Sequence, residues 1–319
     1  MKNSITVIIP TFNRGKSLDK ALWSLSKNTE LPEKVIIVDA GSKDETNEVV
    51  KKFQKLLNIE FLVTEKGLIK QMNFALERVS TEIFIRTDDD VIFSKNWIKA
   101  IRKEFNINKN VLGVTGPTIV PLKFKKNRDL IRIIFSKNII FGILNYFCDQ
   151  KICNIGYFSS CGFFSVGTNF FNSRKRPSQD VDYLEACNFA LKTKLAIKLN
   201  GFSSDYGTIG EYNEPDLCFR VKNLMPEAIF RFSPQACLYH CPSLSGFFNS
   251  RTNYDDRMSN LYTFINKHII YRKNYNKLKT IQYIFLINLF FFVKSTVNLN
   301  FKYKFLIRSI QQIYSLIRK

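Results

Sequence analysis

The sequence predicts an α/β protein: a mostly parallel sheet flanked by helices, followed by a basic, apolar helical tail. Three observations predict it. Short apolar runs rich in β-branched residues recur through the first 115 residues. Segments of helical period separate them. Polar residues stand directly after the runs. Strands covered on both faces read as continuous apolar runs instead of alternating ones, which is the pattern of a parallel sheet between two helical layers.

The elements follow in order. "TVIIP" (6–10) is a first strand, and "SLDKALWSL" (17–25) sets Leu18, Ala21, Leu22 and Leu25 on one helical face. "VIIVD" (35–39) is a second strand. Ser42 and Glu45 then stand at the spacing of a capping box, ahead of a helix whose apolar side is Val49, Val50, Phe53, Leu56 and Leu57. "IEFLV" (59–63) is a third strand, and Gly67 opens a helix to about Val79. "EIFIRTD" (82–88) is a fourth strand, followed by the helix "SKNWIKAIRKEF" (94–105) with Ser94 as its cap. Past Pro117 the pattern loosens. Residues 121–147 mix basic and bulky apolar side chains, and 148–180 read as loop. "YLEACNFAL" (183–191) resembles a strand, 192–202 a short helix ended by Gly201, and 227–240 further strand.

Composition narrows the class. With 319 residues and 45% hydrophobic content the chain builds a core, so global disorder is excluded. Seven cysteines at irregular spacings, with no CxxC pair, fit reduced thiols in a cytosolic compartment. The N-terminus reads as a strand and not as a signal peptide. The net charge of +21 calls for an anionic partner. Twelve of the lysines and arginines, and no Asp or Glu, fall between Arg257 and Lys319, so more than half of the excess is a basic tail.

In open α/β sheets ligands sit at the carboxyl ends of strands. Thr11, Asn13, Asp39 and the triplet Asp88, Asp89 and Asp90 stand there. Three adjacent carboxylates at the end of an apolar run need a counter-charge. A solvated loop or cap is one solution. A divalent cation held by hard oxygen ligands together with substrate phosphates is the other.

"TVIIPTFNR", "IIVDAGSKDET", the Gly67–Asn73 segment and "TDDDV", in that order, resemble the nucleotide-sugar half of family-2 glycosyltransferases, which have the GT-A fold. The likeness continues in "LEACNFALKTKLAIKLNGF" and "GEYNEPDLCFRV", then more weakly through His240 to about Lys267, and covers some 200 of the 319 residues. It implies a metal-dependent, inverting transferase that moves a sugar from a nucleoside diphosphate to a hydroxyl of a glycan or lipid-linked acceptor. Pro10, Thr11, Asn13, Asp39, Lys70, Asp88 and Asp89 would bind the nucleotide sugar. Asp88, Asp90 and His240 would hold Mn²⁺ or Mg²⁺, and which acid of the triplet binds it directly stays open. Glu214 falls at the catalytic-base position, with Asp216 two residues on as a capping or orienting acid. Asn213 replaces the acid that relatives often carry. Glu185 and Asn188 would face the acceptor.

Each residue has a plainer reading. Asp39 is also a turn cap before Gly41, Glu214 an ordinary acid at a helix start, His240 a structural strand-end histidine, and Ala186, Phe189 and Leu191, around Asn188, strand core. His268 lies in a basic helical stretch and reads as structural.

The expected division is a catalytic domain over 1–245, split at 118 into donor and acceptor halves, and a helical region over 246–319. In that region "IFLINLFFFV" with Lys294, Lys302, Lys304 and Arg308 is expected to attach peripherally to an anionic membrane at the inner face of the cell membrane. The alternative is a helical cap with a solvated basic face. Residues 121–147 would add a second contact. Three other readings compete, one of them a degenerate, sugar-binding relative without activity, which rests on Asn213. A nucleotidyltransferase would use the same acids, but no Gly/Arg-rich triphosphate loop adjoins the first strand. A nucleic-acid-binding protein would carry its charge in a groove interleaved with aromatics, not in a tail beside an acidic cleft, so nucleic acid is not expected as a partner.

Overall fold

The computed structural model describes residues 3–121, 154–165, 171–207, 210–242, 253–297 and 304–318. Four strands, β1 (Ile5–Thr11), β2 (Lys34–Asp39), β3 (Ile59–Val63) and β4 (Ile83–Arg86), form the parallel part of an eight-stranded sheet. Helices α1 (Gly15–Ser26), α2 (Thr46–Phe53) and α3 (Leu68–Leu76) connect them. Then follow β5 (Val91–Phe93), α4 (Trp97–Phe105), β6 (Val111–Thr115) and β7 (Thr118–Ile119). Beyond them come the short strands β8 (Tyr157–Phe158), β9 (Phe164–Ser165) and β10 (Gln179–Val181), then β11 (Phe189–Lys192), α5 (Thr193–Lys198) and α6 (Asn213–Leu224). β12 (Ile229–Phe232) and β13 (Leu238–His240) are the last strands.

The large sheet runs β10-β12-β6-β11-β4-β1-β2-β3. β11 enters antiparallel between β4 and β6, and β10 is antiparallel to β12, so the sheet is mixed with a parallel half. Each strand of that half divides its apolar residues between two cores. Ile5, Val7 and Ile9 face one core with Val35 and Ile37, under α1, α2 and α4. Ile8, Ile36 and Val38 face the other, with Met72 and Ala75 of α3 and Leu217 of α6. This is the reason the strands read as unbroken apolar runs.

A small second sheet, β5-β13-β7, is what builds the site. β13 pairs antiparallel with β5, setting His240 opposite Val91, the residue directly after the aspartate triplet. It also pairs in parallel with β7, setting Leu238 opposite Thr118. Gly116 lies where this sheet crosses the large one: a Cβ there would come within 2.0 Å of the Ala236 carbonyl oxygen. Gly116→Ala is therefore expected to destabilise the fold by about 1–3 kcal/mol or more, read as a lowered melting temperature. An unchanged melt would show that the two segments part easily.

Local expectations differ from the structure in several places. The strand expected over 183–191 begins only at Phe189, after a 3-10 turn over Ala186–Asn188, and the stretch read as loop carries β8, β9 and β10. Glu45 precedes α2 without a side-chain capping bond, and Ser42 instead donates its hydroxyl to Asp39 and accepts the Asn13 backbone N–H at 2.7 Å. The first turn of α2 is braced by Asp44, which accepts from the backbone N–H groups of Thr46 at 3.2 Å and of Gly15 at 2.8 Å. Ser94 does not cap α4; Asn96 precedes Trp97, and the Ser94 hydroxyl is buried with no hydrogen-bond partner among the described residues.

The chain ends in α7 (Tyr254–Phe264), a π-helical turn over Ile265–Ile269, α8 (Lys277–Val297) and α9 (Lys304–Arg318). Met258, Leu261, Phe264, Ile284, Phe291, Phe305 and Leu316 join the same core as Phe158, Tyr183 and Leu217. Among the described residues no helix is long and apolar enough to cross a membrane. The expected boundary at 245, and nearly all of the basic 121–147 segment, lie outside the described residues.

Candidate active site

Parallel register delivers the candidate residues to one edge. Thr11 pairs with Asp39 at the ends of β1 and β2, beside Pro10 and Val38. Thr87 donates its backbone N–H to Ile8 at 3.1 Å, so the triplet emerges next to Thr11. The Thr11 hydroxyl donates to Asp89 at 2.8 Å. Gln71 of α3 closes the far side, its amide donating to the carbonyls of Thr11 at 3.2 Å and Val38 at 2.8 Å. Asn13 sits in the left-handed region (φ 51°) and accepts the Lys43 N–H at 2.8 Å. Asp39 is buried and accepts the Ser42 N–H at 2.8 Å. Asn13 and Asp39 are thus joined through Ser42 into one braced loop.

The acidic triplet has its counter-charges in the protein. Arg14 pairs with Asp89 at 2.8 Å and Asp90 at 3.3 Å. Arg86, almost fully buried, pairs with Asp88 at 2.9 Å and lies 3.5 Å from Glu214. His240 Nε2 stands 3.1 Å from Asp90. Burial pushes the Asp89 carboxyl up to about 7, against the opposing pull of Arg14. At Asp88 burial acts the same way, but Arg86 and then His240 outweigh it and hold the group below the usual carboxylate range. Burial would lower the His240 pKa; its hydrogen bond to Asp90 and the charges of Asp90 and Asp88 outweigh this and raise it. For Arg86 too burial acts downward, and Asp88 and Glu214 overcome it, so the guanidinium stays charged.

Sequence reasoning missed both arginines. It also missed Cys187, whose buried thiol donates to Asp88 at 2.8 Å; burial and then the neighbouring Asp88 charge raise its pKa well above the ordinary value. Among the described residues, one ligand atom each from Asp88, Cys187 and His240 lies within 4.8 Å of the others. Asp90 adjoins them through His240, and the Cys241 N–H donates to the Asp90 carbonyl at 2.8 Å, fixing β13 against the triplet. Two carboxylates and an imidazole fit the hard-ligand preference of Mn²⁺ or Mg²⁺, whereas a protonated thiol is a poor partner for either.

Glu214 is buried in the first turn of α6. The helix starts after Tyr212, whose backbone is left-handed (φ 77°) and whose ring packs on Phe164 and Phe264. That conformation is uncommon for a bulky residue and is held here by packing. Burial raises the Glu214 pKa, with Arg86 opposing. Asn213 is buried with its amide on the Gly210 carbonyl at 3.0 Å. Asp216 has different company: it accepts from Tyr206 at 3.0 Å and Arg220 at 2.6 Å, and pairs with His268 Nε2 at 2.8 Å. Burial would raise its pKa, but His268 and Arg220 lower it. Its carboxylate ties α6 to the π-helical turn.

Glu185 accepts from the Thr118 hydroxyl at 2.6 Å, and burial raises its pKa. Asn188 is fully buried, its carbonyl taken by Trp97 at 2.9 Å and its amide by the Ala236 carbonyl at 2.7 Å. Both ends are engaged inside the sheet, in contrast to the acceptor-facing position expected of Asn188. Lys70 is exposed and pairs with Glu65 at 2.6 Å. The structure thus brings Thr11, Asp88, Asp89, Asp90, His240, Glu185 and Glu214 around Arg14 and Arg86, with Asp39 and Asn13 beside them, and sets Asp216, Asn188 and Lys70 in other surroundings.

A family model described as glycosyl transferase family 2 matches residues 6–168, just over half of the chain. Among curated proteins, a UDP-Gal:alpha-D-GlcNAc-diphosphoundecaprenol beta-1,3-galactosyltransferase of Escherichia coli is 37% identical over 87 residues, 26% of this chain and 32% of that protein. A chondroitin synthase of Escherichia coli is 29% identical over 120 residues, 36% of this chain and 17% of that protein. The chain thus spans well under half the length of these relatives. Among solved structures, Staphylococcus aureus TarS 1-349 in complex with UDP-GlcNAc superposes with a TM-score of 0.58 at 16% identity, covering 98% of this chain and 79% of that one. A mannosyltransferase from Pyrobaculum calidifontis in complex with GDP-Man and Mn²⁺ gives a TM-score of 0.56 at 15% identity, covering 99% and 86%. At these identities the likeness is one of fold.

Proposed function

The chain belongs to glycosyl transferase family 2 and has the GT-A fold, and from that premise we propose that it transfers a hexose from a nucleoside-diphosphate donor to a hydroxyl of a glycan or lipid-linked acceptor, with inversion. One observation carries the proposal: the ends of three adjacent parallel strands deliver Thr11, Asp39 and the aspartate triplet to one edge, and the small sheet brings His240 to the same place.

In this reading Pro10, Thr11, Asn13 and Asp39 hold the nucleotide. The Asp39 carboxylate accepts from base or ribose while Ser42 fixes its direction. Lys70, exposed on α3 and paired with Glu65, would face the donor with its remaining N–H groups. Asp88 and Asp90 with His240 would hold Mn²⁺ or Mg²⁺, and Asp89 would be oriented by Thr11 and Arg14. When bound, the cation supplies charge neutralisation for the departing diphosphate. Arg86 holds Asp88 in its charged form and Arg14 aims Asp89 and Asp90, because leaving such groups buried and unpaired is costly.

Glu214 acts as general base. It takes the proton of the acceptor hydroxyl as that oxygen bonds to the anomeric carbon; the bond from that carbon to the diphosphate oxygen breaks, and the nucleoside diphosphate leaves. A single base and one direct displacement give inversion. Asp216 positions α6 from behind. Glu185, held by Thr118, lies on the acceptor side. The acceptor belongs at the inner face of the cell membrane, where a lipid-linked sugar is presented.

The test is donor binding. Nucleotide sugars are screened by thermal shift with and without Mn²⁺. A cognate donor at about 100 times its Kd is expected to stabilise the protein by about 2.7 kcal/mol. Asp39→Ala is expected to abolish that shift, and Asp39→Asn, which keeps one acceptor oxygen for the Ser42 turn, to weaken it. A full donor shift in Asp39→Ala would remove Asp39 from the nucleotide site; no shift with any nucleotide sugar would overturn the reading.

A further inference from the structure

The two last helices are apolar on the wrong side. α8 buries Tyr283, Ile284 and Phe291 against the core, as expected of an amphipathic helix. Yet Leu278, Phe285, Leu289 and Phe292 are exposed, at 65%, 61%, 48% and 39%. At 3.6 residues per turn these four fall within about 60° of one another, opposite the buried residues. α9 repeats the arrangement: Phe305, Ser309, Gln312 and Leu316 are buried, while Ile307, Ile310, Tyr314 and Ile317 form an exposed stripe within about 80°. A helix apolar on both sides is covered on both sides.

The helices form one antiparallel pair. Lys277, at the start of α8, donates to the carbonyl of Ile317 at the end of α9 at 3.0 Å. Ser309 donates to Asn288 at 2.6 Å, and Phe291 meets Phe305 with ring centroids 6.4 Å apart. Both stripes lie away from that shared seam with the core. Charge identifies what covers them. Lys304, Arg308 and Arg318 follow the edge of the α9 stripe, at about 20–100° from Ile307. The segment from Arg257 to Lys319 holds twelve cations and no acid. A second copy would bring the same cations against these, so self-association on this face is opposed, whereas an anionic surface is attracted.

We propose that α8 and α9 lie in the plane of an anionic lipid bilayer. The stripes Leu278–Phe292 and Ile307–Ile317 enter the acyl boundary, and Lys304, Arg308 and Arg318 sit among the headgroups. Since no described helix is long and apolar enough to span, the attachment is interfacial. The inference rests on the proposed glycosyltransfer only for what the membrane presents; the surface itself stands on exposure and charge.

The experiment is flotation of the full chain with phosphatidylcholine vesicles, with and without phosphatidylglycerol. The protein is expected to float with the anionic vesicles and to be left behind by the neutral ones. Phe285→Ser, Leu289→Ser, Ile310→Ser and Tyr314→Ser together are expected to lower the partition coefficient about a hundredfold or more. Lys304→Gln and Arg308→Gln should each lower it about fivefold. All these side chains are exposed, so the variants keep the wild-type melting temperature and the donor-dependent shift. A wild-type chain that stays unbound on anionic vesicles, or a quadruple serine variant that floats as well as wild type, overturns the proposal. So does a dimer in sedimentation velocity that the serine variant dissolves while neither form floats. Because donor binding is read in the same samples, loss of flotation with an intact donor shift speaks to the membrane surface alone, and loss of the donor shift alone speaks to the transfer reading.

Discussion

Glu214→Gln is expected to lower transfer to acceptor by about 10²–10⁴-fold while leaving the donor-dependent thermal shift intact. The amide keeps the shape and the hydrogen-bonding reach of the carboxylate at the head of α6 but cannot take a proton. Burial makes the wild-type group a stronger base than a free glutamate, and Arg86 limits how far that goes. The same burial gives a second, independent signature. A carboxyl whose folded pKa is raised binds its proton more tightly in the folded state, so it lowers stability as pH rises from the unfolded value through the folded one. The Gln variant lacks this dependence. Its melting temperature relative to wild type should therefore climb across the carboxylate range and level off above it. Normal transfer by Glu214→Gln would remove Glu214 as the base, and a flat stability difference across pH would show that its burial carries no proton linkage.

The parallel half of the sheet was legible because its strands are buried on both faces and end in polar residues. Nothing but local sequence is needed to see that Thr11, Asp39 and Asp88 follow apolar runs. What was not legible is what meets them. Arg86 reads as one residue of "IFIR", and spacing does not show that its guanidinium turns to Asp88 and to Glu214, more than 120 positions on. Arg14 crosses 75 positions to Asp89. The counter-charge that the triplet demanded was read as a cation from solution, because a pairing created by tertiary contact leaves no periodic trace. Arg14 does stand in the "TFNR" stretch, so a charge inventory of the strand ends could have found it. Ser42 fits a capping box, yet its hydroxyl is used by the Asp39 turn, a closer partner than the helix start. Asp216 was read as an orienting acid; its partners Tyr206 and His268 lie 10 and 52 residues away. His268 looked structural in the sequence, and the structure adds the π-helical turn that carries it to Asp216, a backbone irregularity no periodicity announces.

Arg86→Met should be the most destabilising single change at the site, by about 3–5 kcal/mol, with a melting temperature lower by on the order of 10 °C. Methionine matches the stem of the arginine and restores none of its charge. Asp88 and Glu214, both pressed by burial toward neutrality, then lose their nearest cation. Two outcomes separate this account from simple loss of packing. If charge is the cause, adding Asp88→Asn and Glu214→Gln to Arg86→Met removes the unpaired anions and restores most of the stability, while transfer stays lost. Packing would leave the triple variant as unstable as the single one. The Nε and Nη1 groups of Arg86 are buried without a hydrogen-bond partner among the described residues, although Nη1 lies 3.5 Å from Glu214. The guanidinium thus acts on Glu214 through charge and not through a hydrogen bond. Arg86→Lys, which keeps the charge but not the planar fork, should accordingly recover more stability than Arg86→Met. Equal melting temperatures for Lys and Met would refute the electrostatic account of the strand end on which the proposed site is built.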